Sequence, residues 1–204
     1  MELATAVDLS RIVPTPRRST CQYRDPLDEV WIRAAERMGL RVVRADGAYA
    51  DYDGRGTLAI GTAQILDPDD CVAQIVFHEV CHWLVEGRDS ARQVNWGLAN
   101  DSLADLRREN ASLRVQAALA IPHGLRRFLA NTTDHRAYYD ALPEDPLAQD
   151  DDDTVGLART ALARATEAPW GAPLVQALAA TATIVKAVWP TAIQPSLYAT
   201  LDVT

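Results

Sequence analysis

The chain has 204 residues, 48% of them apolar and 24% charged, the profile of one domain with a single sizeable core. Its formal charge of −8 argues against the basic face that phosphate backbones require, so no nucleic-acid partner is expected. No run approaches the ~18 consecutive apolar residues of a membrane span, the N-terminus holds no apolar signal core, and three cysteines (Cys21, Cys71, Cys81) are too few for a disulfide framework. A cytoplasmic protein with no membrane partner is the expectation.

In chain order, the first 24 residues, with Pro14, Pro16 and several arginines, read as irregular. "DPLDEVWIRAAERMG" then reads as a helix. Asp25 can cap it, Pro26 suits its first position, Asp28 and Glu29 suit the positive end of the dipole, and Gly39 can close it. "LRVVRA" (Leu40 to Ala45) and "TLAIGT" (Thr57 to Thr62) read as a pair of strands, with "DYDGRG" as the turn between them. "DPDDCVAQIVFHEVCHWLVEG" predicts a helix with Asp67 as cap, Pro68 in the first turn and Gly87 at the end. A long helix is predicted over Ser102 to Ile121. Two alanine-rich helices follow, "TVGLARTALARATEA" and "APLVQALAATATIVKAV", interrupted at "PWGAP". Six acids crowd into Glu144 to Asp153, leaving the remainder of the chain at only −2, so that segment is expected to be a linker or exposed loop.

The organisation expected is a metal-binding domain over residues 1–141, an acidic linker or loop over 142–153, and a helical extension over 154–204 packed on the same domain. The class is α+β and mainly helical, with a small sheet packed on the helix that bears the motif.

That motif is His78-Glu79-x-x-His82. At roughly 100° per residue, His82 lies about 40° round from His78 and one turn along, so both imidazoles can reach one cation, while Glu79 sits at the edge of the same face. Two histidines do not complete a site. Glu86 shares the face but lies about 12 Å along the axis, which makes it a surface residue rather than a ligand. The following helix offers Asp101, Asp105 and Glu109. Its continuation "ASLRVQAALAI" carries one charge, so it must be largely buried, and Glu109, Ser112 and Gln116 form a polar stripe on it. Glu109 is the expected third ligand and Asp105 the next candidate; the competing reading pairs Glu109 with Arg107 or Arg108. His123 and His135 are expected at the surface. Cys81 reads as a small buried residue, and Cys71 as core packing near the approach to the ion. Val85 and Arg88 stand where an H-E-x-x-H-x-x-G-x-x-H site has Gly and His, which excludes that class.

"HEVCHWLVEG", followed by "NWG" and "ENASLRVQAAL", resembles the elongation factor P hydroxylase family over roughly residues 55 to 120. There a His-Glu-x-x-His-Trp helix precedes an aromatic-Gly segment and a helix with a Glu ahead of a basic residue and Gln-Ala-Leu. His78, Glu79, His82 and Trp83 match the first block, Gly97 the second, and Glu109, Arg114, Gln116 and Ala117 the third. This chain departs at "LANDSLADL", where the family has a Tyr-x-Pro-Asp-Gly-Arg type segment, and at Ser112 and Val115, where it has Glu and Pro. The resemblance implies a zincin-like fold, one iron held by His78, His82 and Glu109, and hydroxylation of a side chain on a protein such as elongation factor P.

Three functions are therefore in play. The first is a non-haem Fe(II) hydroxylase of the two-His, one-carboxylate type. The second is a Zn(II) metallopeptidase in which Glu79 is the general base and "TLAIGT" an edge strand for an extended peptide. The third is a non-catalytic metal-binding module that binds a partner.

Overall fold

A computed structural model of the chain describes residues 20–99, 101–132, 134–148 and 153–200. Most of the irregular segment expected at the N-terminus, and residues 149–152 of the acidic segment, lie outside the described residues. The architecture is α+β and mainly helical, with a three-stranded sheet.

Helix α1 spans Pro26–Met38 as the sequence predicts: the Asp25 carboxylate accepts from the Leu27 amide at 2.8 Å, and Gly39 ends the helix at φ 95°. The two expected strands, β1 (Arg41–Ala45) and β3 (Thr57–Gly61), do pair, in parallel. A third strand, β2 (Ala50–Tyr52), pairs antiparallel on the other side of β3. The order is β1-β3-β2. β3 is therefore central, which corrects the expectation that Thr57 to Thr62 lies at an edge. The turn read at "DYDGRG" is shorter than expected, because its first two residues belong to β2. The Asp53 carboxylate then closes residues 53–57 by accepting from the Arg55 and Thr57 amides at 2.7 and 2.9 Å.

Helix α2 is Val72–Glu86 and is buried on almost every face. It starts later than Asp67-Pro68 suggests. The Cys71 amide donates to the Gln74 side chain at 2.8 Å, while Asp70 has other partners: its carboxylate accepts from the Tyr49 hydroxyl, the Thr132 hydroxyl and the Asp67 amide. At the other end Arg164 donates to the carbonyls of Leu84 and Val85, both at 2.7 Å, satisfying two acceptors that a helix C-terminus leaves open.

Helix α3 (Leu103–Ala120) begins at Ser102, whose hydroxyl accepts from the Asp105 amide, and it runs beside α2. A short α4 (Arg136–Asp140) follows. Helix α5 (Thr154–Arg164) lies across α2 and α3, and α6 (Gly171–Val188) packs on α1. Ala158, Trp170, Leu174 and Val185 share one apolar core with Trp31, Phe77 and Leu84. Residues 142–148 are tied down rather than free: Arg114 donates to the Pro146 carbonyl, Arg126 to those of Leu142 and Pro143, and Arg159 to that of Leu147. Gly171–Thr191 meets the length and composition of a membrane span at mean hydropathy 1.4, which a search for uninterrupted apolar runs overlooks; a third of that window is buried here.

The Trp31 indole donates to the Thr181 hydroxyl at 2.9 Å in the core, joining α1 to α6. Replacing Thr181 by Val leaves that N–H buried and unmatched, and should cost about 1–3 kcal/mol. Urea unfolding followed by circular dichroism and by tryptophan fluorescence should show one coincident transition with a lower midpoint. An unmoved midpoint, or two separated transitions, would contradict a single cooperative core.

Candidate metal centre

Helix α2 carries His78 and His82 on adjacent turns, and α3 brings Glu109 against them. The two Nε2 atoms are 3.0 Å apart. Glu109 Oε1 lies 3.5 Å from His78 Nε2, and Oε2 lies 3.3 Å from His82 Nε2. One ligand atom from each of the three residues falls within 4.8 Å of the others. Asp105, also buried, is not in this group. The arginines that could have taken Glu109 are engaged elsewhere: Arg108 faces Glu86 at 3.5 Å and Arg107 faces Asp153 at 3.8 Å. Glu86 is correspondingly not the surface residue expected, its side chain being only 11% exposed.

The polar stripe on α3 sets the histidine tautomers. Gln116 Nε2 donates to the Leu129 carbonyl at 2.6 Å, which turns its oxygen to His78 Nδ1 at 2.8 Å. Ser112 Oγ donates to the Arg108 carbonyl at 3.0 Å and faces His82 Nδ1 at 3.1 Å, so it accepts there. Inferred from this network, both rings carry their proton on Nδ1. Both Nε2 lone pairs then point at each other and at a carboxylate. Three acceptors converge with no donor among them, and Glu109 Oε1 is buried without a hydrogen-bond partner. Such a cluster is repulsive until a donor or a cation enters it, and a single cation can answer all three acceptors at once. Burial, and then the charge of His78, lower the basicity of His82, so a proton is a poor occupant. Burial raises the Glu109 carboxyl, but the two histidines outweigh it and hold it below the usual range. The donor set of two imidazoles and a carboxylate, each ring steadied through its other nitrogen, fits a divalent metal ion.

The cluster forms the floor of a cavity of about 410 Å³. Tyr49 and Ala50, beside and on β2, form one wall, and Asn131, Thr132, Asp134 and His135 form the other. The Tyr49 hydroxyl reaches Thr132 Oγ at 3.0 Å and donates to Asp70 at 2.6 Å, linking the two walls. Burial and the Asp70 bond raise its pKa, so it stays protonated. His135, expected at the surface, is half-buried in this wall, whereas His123 sits in a 3₁₀ turn away from the cavity. The only signal for the second wall is the polar run "NTTDH", which looks like any loop. Cys81 is fully buried, and Cys71, its thiol pushed by burial to about 12, borders α2; neither joins the cluster.

Glu79 also lines the cavity and stands outside the metal-binding group. Its Oε2 accepts from the Trp96 indole N–H at 2.9 Å. Trp96 stacks on Tyr52 with centroids 3.7 Å apart and on Trp83 at 5.3 Å. Asn95 and Trp96 both adopt left-handed backbone, at φ 47° and 59°, a conformation that costs about 1–3 kcal/mol for each non-glycine residue. Asn95 offsets part of that cost by accepting from the Tyr52 amide at 2.8 Å. Nothing in the local pattern of "NWG" signals that Trp96 reaches Glu79.

Gln116→Leu removes the acceptor that orients His78, and should weaken divalent-metal affinity by about 10–100-fold in competition with a colorimetric chelator while the fold is retained. Unaltered affinity would show that the Gln116 bond does not steady the ligand. In the metal-free protein, the depressed basicity of His82 also predicts a pH dependence. The unfolded chain takes up a proton near the ordinary value of 6.5, whereas the folded one resists it, so stability is full above that pH and falls as pH drops below it. His78, Glu79, Glu109 and His135 face the same ring. Replacing His82 by Gln should flatten this part of the profile; an identical slope in the variant would assign it to another group.

Compared with known proteins, the chain matches no family model, no curated protein and no solved structure.

Proposed function

We propose that the chain is a metal-dependent enzyme with one divalent ion held by His78, His82 and Glu109, and that it hydroxylates a side chain of a protein substrate. The observation that carries this reading is the convergence of two proton-free Nε2 atoms and a carboxylate in a buried cluster that contains no donor. Iron(II) is the favoured ion. Held by two histidines and one carboxylate, it would supply dioxygen-dependent oxidation in which one oxygen atom enters the substrate C–H bond and the other leaves as water, the two electrons coming from an external reductant. The sequence resemblance to elongation factor P hydroxylases supports the same ion, a zincin-like arrangement and a cytoplasmic partner like elongation factor P.

The protein's own groups have distinct tasks in this scheme. Ser112 and Gln116 keep both ring protons on Nδ1, and the carboxylate of Glu109 supplies the negative charge that a divalent ion requires. Tyr49 with Asn131, Thr132, Asp134 and His135 encloses the substrate group and restricts water. The edge of the sheet also bears on the choice of substrate. The Gly61 amide donates to the Tyr49 carbonyl and the Asp53 amide to that of Thr57, so residues 49 and 53 face β3 while 50 and 52 face outward. The outward amide of Tyr52 is already bound by Asn95. An extended peptide therefore has little strand to pair with, which favours a projecting side chain over a threaded backbone.

A zinc peptidase is the second reading, favoured by Glu79, whose carboxylate lines the cavity next to the cluster where a general base is required. Reconstitution under anaerobic conditions separates the two. The hydroxylase reading expects one Fe(II) per chain, a spectroscopic change when nitric oxide is added, and loss of the iron in Glu109→Ala. Tightly held zinc, no nitric oxide signal, and peptide cleavage that disappears in Glu79→Gln would overturn it in favour of the peptidase.

A further inference from the structure

Glu79 follows His78 directly in the chain, lines the same cavity and has a long, flexible side chain. A second carboxylate opens onto the same cavity, yet it stands apart from the His78, His82 and Glu109 group, with Oε2 bonded to the Trp96 indole at 2.9 Å. We infer that Trp96 is a positioning residue whose indole N–H holds the Glu79 carboxylate off the metal, keeping the ion's remaining coordination positions open. This rests on the metal-binding reading above.

Three observations support it. Trp96 is 1% exposed and clamped between Tyr52 and Trp83, so its N–H has one direction in which to point. Asn95 and Trp96 are the only described non-glycine residues with left-handed backbone, so strain is concentrated at the residue that makes this bond. Burial of an indole N–H does not by itself explain the aim. Among the described residues the Trp83 and Trp170 indoles are buried without a hydrogen-bond partner, so this fold tolerates an unpaired indole elsewhere.

The sign of one effect tests the inference. Trp96→Phe keeps an aromatic ring in the stack and removes the N–H. If Trp96 restrains Glu79, the freed carboxylate joins the ion: Co(II) affinity rises by about tenfold, the reverse of the loss usual when a partner around a metal site is removed. The visible Co(II) spectrum also changes, and azide no longer binds the metal. Both changes revert in Trp96→Phe combined with Glu79→Ala. A purely structural Trp96 predicts Co(II) affinity that is unchanged or lower, with azide still bound, and that result overturns the inference. Should Trp96→Phe not fold, Glu79→Ala with the native tryptophan gives the same test by ¹⁵N NMR. The Trp96 indole resonance should shift and exchange faster with solvent; a resonance unmoved by the loss of Glu79 is equally fatal. Wild-type protein that takes up no Co(II) refutes the metal reading itself, whereas Co(II) uptake without the Trp96 effects refutes only this inference.

Discussion

Everything at this site follows from one electrostatic constraint: two imidazole lone pairs and a carboxylate meet in a buried place that holds no donor. Bulk water would screen such a cluster at the surface, but here Glu109 and His82 are nearly inaccessible and only the cavity side is open. In a low-dielectric setting the repulsion among acceptors is larger, and so is the gain when a cation enters. Protonation is one means of relief, and burial opposes it at His82. A divalent ion answers all three acceptors together, which is why the cluster reads as a binding site and not as an ordinary buried hydrogen-bond network. An ion bound there would couple its affinity to folding, since it would stabilise the one state in which α2 and α3 are side by side.

The stripe on α3 shows how two helices specify one tautomer. Ser112 and Gln116 lie three and seven residues beyond Glu109, so the helix repeat places them on the face that meets the histidines. Each is locked by a second bond, Ser112 to a carbonyl of its own helix and Gln116 to the Leu129 carbonyl. Because the Gln116 bond extends to the segment leading into Asn131, the orientation of His78 is tied to the placement of the cavity wall. Ser112 meets His82 Nδ1 through a neutral hydroxyl. A hydroxyl at that position accepts from His82 without adding charge, so the cluster keeps a single carboxylate and a lower net charge than two would give.

What the sequence revealed and what it hid divide along physical lines. Helix α1 was legible because its cap, first-turn proline and closing glycine are local signals. The cluster of His78, His82 and Glu109 was legible because helical periodicity places residues on faces regardless of the fold around them. β2 was hidden because three residues carry too little pattern, and its pairing with β3 depends on a partner outside its own window. The start of α2 was misplaced because Asp67-Pro68 is a good local start signal, while Asp70 is bound by Tyr49 and Thr132, contacts that only the tertiary fold creates. His135 and Trp96 were missed for the same reason: a loop brings each to the site, and loop composition does not encode where a loop is pinned.

A site built across two helices is only as well defined as the rotation of those helices about their own axes, and α2 is constrained at both ends. At its start Asp70 joins the walls through Tyr49 and Thr132; at its end Arg164, from α5, holds the carbonyls of Leu84 and Val85. One turn beyond His82, the mostly buried Glu86 meets the half-exposed Arg108 of α3. The C-terminal helices, which carry no chemical motif, thus act on the site at a distance: α5 fixes the end of the helix that bears both histidines, and Trp170 packs edge-on against Trp83, the neighbour of Trp96 in the stack that aims at Glu79. Because Trp83, Trp96 and Trp170 belong to the same core as α2, the rotation of α2 and the aim of Trp96 depend on packing that the C-terminal helices complete.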